Sequence, residues 1–280
     1  METLQVSGLV VRTTDYGERD RILTLYTDEL GLISVMANGS RSLKSRSLVA
    51  TELFCYSRFI LNKRSDRYTV KEVELIESFF DLRTDVTKIA LAGYACEVMA
   101  HVGTENMPEP DLLRLSLNTL YAIAKEKAPH PQIKGAFEMR AAAILGFMPE
   151  LAVCDMCGEE GDDVALDVMN GSVRCADCRR EAEENPPLFT ESDAARATIL
   201  CLLTSSARAA LFYVLRAPLE KILSFRLDND SDMQSFSYAA ETYLLNHLER
   251  SFKNLEFYKA LLSDDSMNGI KENGIQTENT

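Results

Sequence analysis

Four cysteines arranged as two closely spaced pairs constrain this chain more than any other feature. They follow the pattern C-x2-C-x17-C-x2-C, with Cys154 and Cys157 in the first pair and Cys175 and Cys178 in the second. This spacing is typical of a four-cysteine zinc site, because each pair can turn as a knuckle that presents both sulfurs to one metal ion. A redox-active pair and a metal-free remnant are the alternatives, but neither pair lies in the βαβ setting of a thioredoxin-like site. We expect one structural zinc ion here.

The residues between the two pairs predict a hairpin. Asn170-Gly171 stands between two apolar stretches, and this dipeptide favours a tight turn between antiparallel strands. Knuckle, hairpin and knuckle together describe a zinc ribbon over residues 149–186. Four protein ligands close such a site and leave no position for a reacting water. We therefore expect the cysteines to stabilise the fold and not to catalyse a reaction.

The N-terminal third reads as a series of short strands. Apolar, β-branched segments beginning at residues 4, 21, 32, 52 and 68 are separated by polar turns such as DYGERD and KRSDR. Five strands with this punctuation predict a small antiparallel barrel over residues 1–80. The oligonucleotide-binding (OB) barrel fits this pattern, and so does an SH3-like barrel.

From residue 81 the apolar period changes to three and four, which predicts helices. The stretches 81–148 and 187–262 are expected to form one helical domain interrupted by the zinc ribbon, with the later helices near 193–204, 207–226 and 233–262. Thr190 or Ser192 is the expected cap of the first of these. The polar, Gly/Asn-rich residues 263–280 are expected to be disordered. The predicted fold class is therefore α+β with several domains.

Charge divides the chain into two parts. The net charge is -13, yet residues 1–80 contain 11 basic and 11 acidic residues and are neutral, so the remainder carries the whole excess. This asymmetry indicates different partners for the two parts. No nucleotide-binding, hydrolase or metalloprotease motif occurs, so we do not expect an enzyme. No apolar run or signal peptide indicates a membrane, and a cytoplasmic location follows by default.

A basic loop is the first candidate for nucleic-acid binding. In NGSRSLKSRS, the residues Arg41, Lys44 and Arg46 alternate with serines, and no acidic residue occurs from Asn38 to Ala50. Guanidinium, ammonium and hydroxyl groups all suit phosphate oxygens. The alternative is an ordinary solvated loop.

The fourth strand and the turn after it extend this candidate surface. Strand alternation places Phe54, Tyr56, Arg58 and Ile60 on the face opposite the core, where an aromatic ring could stack on a base. Lys63 and Arg64 add charge in the following turn. The alternative is that these residues pack against the helical part.

The chain resembles the RecO family of bacterial recombination mediators. The residues that carry the resemblance are the paired cysteines, the closing HLERSFKNLEFY and the opening GLVVRTTDYGERDRILTLYTDELGLISVMANGSRSLKSR. They span nearly the whole chain in the family's order. In the family a proline commonly precedes the Lys-Ser-Arg and an aromatic follows it, whereas Leu43 and Ser47 stand here.

The resemblance implies an OB-fold, a helical domain and a zinc-finger insertion whose ligands are the four cysteines of the two pairs. It also implies a protein without catalytic activity that binds single- and double-stranded DNA and anneals complementary strands. With RecR, such a protein helps RecA replace single-strand-binding protein. A protein-protein adaptor that does not bind nucleic acid, and an RNA-binding OB protein, remain the competing hypotheses.

Overall fold

The computed structural model of this chain describes residues 2–42, 48–184 and 198–274. The chain forms two compact units, one of residues 1–125 with 251–280 and the other of residues 126–250. The division differs from the predicted boundaries at 80, 148 and 262. The helices expected to form one domain are shared between the units, because the first of them packs on the barrel and on the last helix of the chain.

The first unit contains a closed five-stranded barrel, which confirms the predicted fold class. The strand order is β1-β2-β3-β5-β4; β3 and β5 run parallel and the other paired neighbours are antiparallel. The strands are β1 (Glu2–Tyr16), β2 (Asp20–Thr27), β3 (Gly31–Ala37), β4 (Tyr56–Arg64) and β5 (Arg67–Glu77).

Alternation along these strands fills the barrel, because successive side chains of a strand point to opposite faces. The interior contains the buried side chains Val6, Val10, Leu23, Leu25, Ile33, Val35, Phe59, Leu61 and Tyr68. One predicted residue lies elsewhere. Phe54 precedes β4 in a left-handed conformation (φ 71°) and is buried, so it is not part of an exposed face. Its backbone N–H donates to the Val10 carbonyl, which ties the loop to β1.

Three helices complete the first unit. They are α1 (Val86–Val102), α2 (Pro110–Ala124) and α7 (Lys253–Gly274). Asp85 caps α1 by accepting hydrogen bonds from the backbone N–H groups of Thr87 and Lys88. Helix α7 corrects the expectation of a disordered tail from residue 263, since the chain is helical to Gly274, and residues 275–280 lie outside the described ranges.

The second unit combines helices with a small sheet. Its elements are α3 (His130–Ile144), β6 (Val164–Asp167), β7 (Ser172–Cys175), α4 (Ala176–Glu184), β8 (Leu200–Leu203), α5 (Ser205–Arg216) and α6 (Asp230–Leu248). Helix α3 packs mainly on α6, where Lys134 is buried between the carboxylates of Glu138 and Glu241, each 2.9 Å from its Nζ.

Three expectations for the helices after the zinc ribbon are wrong. Residues 200–203 form strand β8 and not part of a helix near 193–204. Helix α5 ends at Arg216, because Ala217 precedes a proline and is therefore extended. The helix expected near 233–262 is two helices, separated at Glu249, which has a left-handed backbone (φ 49°). The suggested caps Thr190 and Ser192 lie outside the described residues.

Candidate metal centre and nucleic-acid interface

The four predicted ligands converge on one point. Cys154 and Cys157 belong to a turn before β6, Cys175 ends β7, and Cys178 lies in the first turn of α4. Their Sγ atoms all lie within 4.8 Å of one another, and those of Cys157 and Cys175 are 3.9 Å apart. A tetrahedral metal with bonds to sulfur of about 2.3 Å separates its ligands by roughly 3.8 Å. The cluster therefore has the donor set and nearly the dimensions of a tetrahedral thiolate site.

The electrostatics of the cluster also suit a cation. Burial raises the pKa of Cys154, but hydrogen bonds from the backbone N–H groups of Cys157, Cys175 and Met156 outweigh it and lower the pKa to about 6. The pKa of Cys178 is raised, chiefly by its hydrogen bond with Cys175. The pKa of Cys157 is also raised. Four sulfurs at this distance cannot all ionise without a compensating positive charge, so the residues fit a bound metal ion.

Local backbone geometry forms the first knuckle and the hairpin. Gly158 has a positive φ of 75°, and its N–H donates to the Cys154 carbonyl at 2.9 Å. This hydrogen bond closes the turn that contains Cys154 and Cys157. Between β6 and β7 the connection comprises the four residues 168–171, so Asn170 and Gly171 occupy its second half. Asp167 fixes this loop by accepting from the backbone N–H of Met169 and of Asn170, both at 3.1 Å.

Two features of the ribbon are absent from the sequence prediction. Strand β8 pairs with β6 and makes the hairpin a three-stranded sheet in the order β7-β6-β8. Arg208 of α5 donates to the carbonyl of Leu151 at 2.8 Å and also to those of Ala152 and Gly161. One guanidinium group thus holds both sides of the knuckle segment against a helix of the same unit. No sequence spacing relates an arginine to carbonyls some 50 positions away.

The described part of the basic loop lies beside the turn between β1 and β2. Arg41 donates from Nη1 to the Gly17 carbonyl at 2.9 Å, and its Nη2 is 3.2 Å from Asp15. Lys44 and Arg46 lie outside the described residues. Part of the Arg41 charge is therefore compensated, and its guanidinium group is fixed in position.

The other predicted contacts fall into two groups. Tyr56 donates to Asp28 at 3.3 Å and Arg58 is 2.8 Å from Glu74, so both already bind carboxylates. The Lys63 Nζ lies 5.3 Å from the ring centroid of Tyr68, a cation–π distance. Arg64 is exposed and, among the described residues, forms no ion pair. Lys63 and Arg64 thus lie at the β4–β5 turn. Among the described residues, neither of them contacts Arg41.

Sequence reasoning missed a second set of residues on the outer face of the barrel. Arg12 and Tyr16 of β1 pair with Thr24 and Asp20 of β2, and Ile22 of β2 pairs with Met36 of β3. Directly paired residues share a face. Both Arg12 and Tyr16 are exposed, the tyrosine by 56%. The period-two spacing of Arg12, Thr14 and Tyr16 in the printed sequence is the signal that could have found them.

Arg19 adds a further exposed cation in the turn that follows β1. Within the described part of the chain, neither Arg12 nor Arg19 has an ion-pair partner. An exposed ring on the same strand as one such arginine, and three residues before another, can stack a base while the arginines contact phosphates.

Comparison with known proteins gives matches along almost the whole chain. Residues 1–79 match the family model "Recombination protein O N terminal", and residues 83–256 match "Recombination protein O C terminal". The "DNA repair protein RecO" of Acetivibrio thermocellus is 31% identical over 262 residues, which cover 93% of this chain and 98% of that protein. The protein of the same name from Symbiobacterium thermophilum is 32% identical over 268 residues, with 94% and 99% covered.

None of the helices in the described ranges combines the length and the apolar character that crossing a bilayer requires.

Proposed function

Because the chain belongs to the RecO family of DNA repair proteins, we propose that it is a DNA-binding recombination mediator without catalytic activity. It binds single- and double-stranded DNA and anneals complementary single strands. With RecR it helps RecA replace single-strand-binding protein. The observation that carries this proposal is the outer face of the OB barrel, where Arg12 and Tyr16 are exposed on β1 and Arg19 is exposed in the turn that follows. The site comprises Arg41, Lys44 and Arg46 with Lys63 and Arg64, together with Arg12 and Arg19.

The proposed mechanism is neutralisation of phosphate charge. Two complementary strands repel each other through their backbones, so a surface that binds the phosphates of one strand lowers this repulsion. Stacking on Tyr16 would hold bases without reading their sequence, because every base has a π-face. Such a surface accelerates pairing of any complementary strands and needs no reacting group.

Zinc has a structural role in this proposal. The four thiolates would hold it with no open coordination position, so it would supply folding energy and no activated water. Around it, Asp167 and Arg208 fix the hairpin and the knuckle. The exposed residues from Glu159 to Asp163 are acidic and are a poor surface for DNA.

Protein partners are assigned to the acidic part of the chain. Residues beyond 80 carry the entire net charge of -13, which repels DNA and suits recruitment of RecR and single-strand-binding protein. The chain would then act on RecA indirectly, through these partners. A protein that acts on the chromosome in this way works in the cytoplasm, at the nucleoid.

Replacing Arg41, Lys44 and Arg46 by alanine tests the proposed surface. If about four phosphates of a single strand are contacted, log K falls with log[salt] at a slope near -3, and the triple variant should reduce this slope by about 2 units. The measurement is a salt titration of fluorescent single-stranded DNA, with an annealing assay in parallel. The matched control replaces the exposed cations Arg180, Lys221 and Arg226 of the second unit, which changes net charge equally.

The competing function is a protein-protein adaptor. It is favoured by the ion pairs of Arg41 with Asp15 and of Arg58 with Glu74, because these carboxylates compensate charge that would otherwise attract phosphate. Unchanged DNA affinity in the triple variant, with normal fold and zinc content, would favour the adaptor and contradict the proposal. Competition of single-stranded DNA against RNA of the same sequence distinguishes an RNA-binding OB protein.

A further inference from the structure

The small sheet of the second unit has two edges, and only one is covered by a described segment. At the β7 edge, the backbone N–H of Asp155 donates to the Val173 carbonyl at 2.9 Å, and Cys154 forms a bridge to Val173. At the other edge, no described strand pairs with β8. An uncovered strand edge is a template for another strand.

The hydrogen-bond alternation identifies which groups of β8 point outward. The Val168 N–H donates to the Ile199 carbonyl at 2.9 Å, so residues 199, 201 and 203 face β6 and residues 200 and 202 face away from it. Ser235 occupies one outward group, since its hydroxyl donates to the Leu202 carbonyl at 3.1 Å and accepts from Thr204. Within the described ranges, the N–H groups of Leu200 and Leu202 and the carbonyl of Leu200 have no backbone partner outside the sheet and are available to a neighbour.

The side chains at this edge are apolar and exposed. Leu202 is 68% exposed, Leu200 39% and Tyr238 of α6 59%. Leu202 and Tyr238, together with Gln234, line an open groove of about 440 Å³. Natural edges are usually protected by lysine, proline or a bulge, and β8 has none of these. Apart from the Ser235 hydroxyl at the Leu202 carbonyl, the described residues leave this short edge open to binding.

Two carboxylates lie near one end of the groove and make that end acidic. Asp230 and Asp232 lie in the first turn of α6, and a hydrogen bond with Thr204 lowers the pKa of Asp232 and keeps it ionised at neutral pH. Residues 198–207, which include β8, contain no lysine or arginine to neutralise these carboxylates. A second copy of β8 would therefore bring apolar contacts but no complementary charge.

We propose that the β8 edge binds an extended segment of a partner protein, which adds a fourth strand to the sheet. The segment has apolar side chains at alternate positions that contact Leu200 and Leu202. It has a lysine or arginine at the end that meets Asp230 and Asp232. Backbone hydrogen bonds supply affinity, and the alternating side chains supply selectivity. This surface is distinct from the DNA-binding face of the barrel and does not depend on it.

The test uses a displayed library of linear heptapeptides, selected on the full-length protein with zinc and counter-selected on the Leu202→Lys variant. The enriched peptides are expected to alternate apolar residues and to end in a basic residue. Binding is then measured by fluorescence anisotropy. Leu202→Pro removes only an outward N–H and the leucine contact, and should weaken binding about tenfold. Leu262→Lys, at an exposed leucine of α7, is the matched control and should change nothing.

Hydrogen exchange of the Leu200 and Leu202 amides provides an independent readout. Both should exchange rapidly in the free protein and become protected with peptide. Protection in the free protein would show that the chain covers its own edge, and would overturn the proposal. So would enriched peptides with helical spacing or acidic ends, an absence of peptides that depend on Leu202, or self-association that Leu202→Lys abolishes. If Leu202→Pro does not fold, the Leu202→Lys variant decides by the same measurements.

Discussion

The barrel and the metal ribbon reach stability by different means, although both are small sheets with short turns. The barrel closes on itself and surrounds an apolar core that includes Leu23, Leu25 and Phe59. The ribbon sheet has strands of four residues each, which are too short to enclose a core. It depends on the cysteine cluster, on the hydrogen bonds of Arg208 to the knuckle carbonyls and on the helices of its unit. A closed sheet can therefore present its outer face for binding, whereas the ribbon uses its polar and sulfur groups to hold itself together.

The largest expected effect tests the dependence of the ribbon on metal. Cys175→Ser removes one of four ligands and should abolish stoichiometric zinc. We expect a loss of at least about 3 kcal/mol in the second unit, or roughly 10 °C in its melting temperature. The barrel transition should be unchanged. Zinc analysis and calorimetry measure both.

The matched control for this variant is Cys201→Ser, because Cys201 is buried in β8 but is not a ligand. It should keep the zinc. DNA affinity should fall in Cys175→Ser only as far as folding does. If DNA binding disappeared while the melting temperature remained normal, the DNA-binding site would lie in the ribbon and not on the barrel.

Arg208→Ala should give the next largest effect. It removes the donors for three backbone carbonyls on both sides of the knuckle, which costs about 2–3 kcal/mol when such acceptors lose their partners. Zinc should still bind, but urea denaturation should occur at a lower concentration. Arg58→Ala, which breaks one exposed ion pair of the barrel, should cost less than about 1 kcal/mol. Equal losses of stability in the two variants would show that the Arg208 hydrogen bonds stabilise the protein no more than one exposed ion pair does.

Tyr16→Ala tests the outer face of the barrel. Loss of one stacked base should weaken single-stranded DNA binding by about 1–3 kcal/mol, or roughly 5- to 150-fold. The fold should be unaffected, because the ring is exposed. Tyr56→Ala is the comparison, since Tyr56 donates to Asp28 and is half-buried. A larger loss of affinity at Tyr56 would place the binding surface on β4, as the sequence pattern predicts.

The smallest effect compares one loop glycine beside each sheet. Gly171 and Gly39 both have positive φ, 64° and 63°, so alanine should cost each about 1 kcal/mol. A methyl group at Gly171 would also lie 2.7 Å from the hydroxyl of buried Tyr243, whereas nothing lies within 4 Å at Gly39. Gly171→Ala should therefore be the more destabilising by about 1 kcal/mol. Denaturant titrations of both variants measure the difference, and equal costs would contradict it.

Strand alternation made most of the barrel predictable from the sequence. The pattern predicts a core face of Leu53, Cys55, Ser57, Phe59 and Leu61; the last four are buried and Leu53 is half-buried. It failed at Phe54, whose left-handed backbone reverses the side chain. It also could not separate an OB barrel from an SH3-like one, because the parallel pairing of β3 with β5 joins residues that are distant in the sequence.

Short apolar runs were the least predictable elements. The four residues of β8 have the composition of either a strand or a buried helix turn, and periodicity cannot decide over such a length. Pairing with β6 decided it. The assignment of α7 to the first unit is similar: the absent side chain of Gly93 on α1 lets Asn254 approach closely, a contact over more than 150 positions that no local pattern encodes.

The sequence alone determined the strand-rich first third, the cysteine spacing and the basic loop, because each follows from local chemistry: side-chain alternation, ligand type and charge. Only the tertiary structure decided which charges remain available. It brought Arg41 to Asp15 and Arg58 to Glu74, and it left Arg12 and Tyr16 exposed on one face. Ion pairing and burial depend on which distant residues meet, and that is fixed by packing of the whole unit and not by neighbours in the chain.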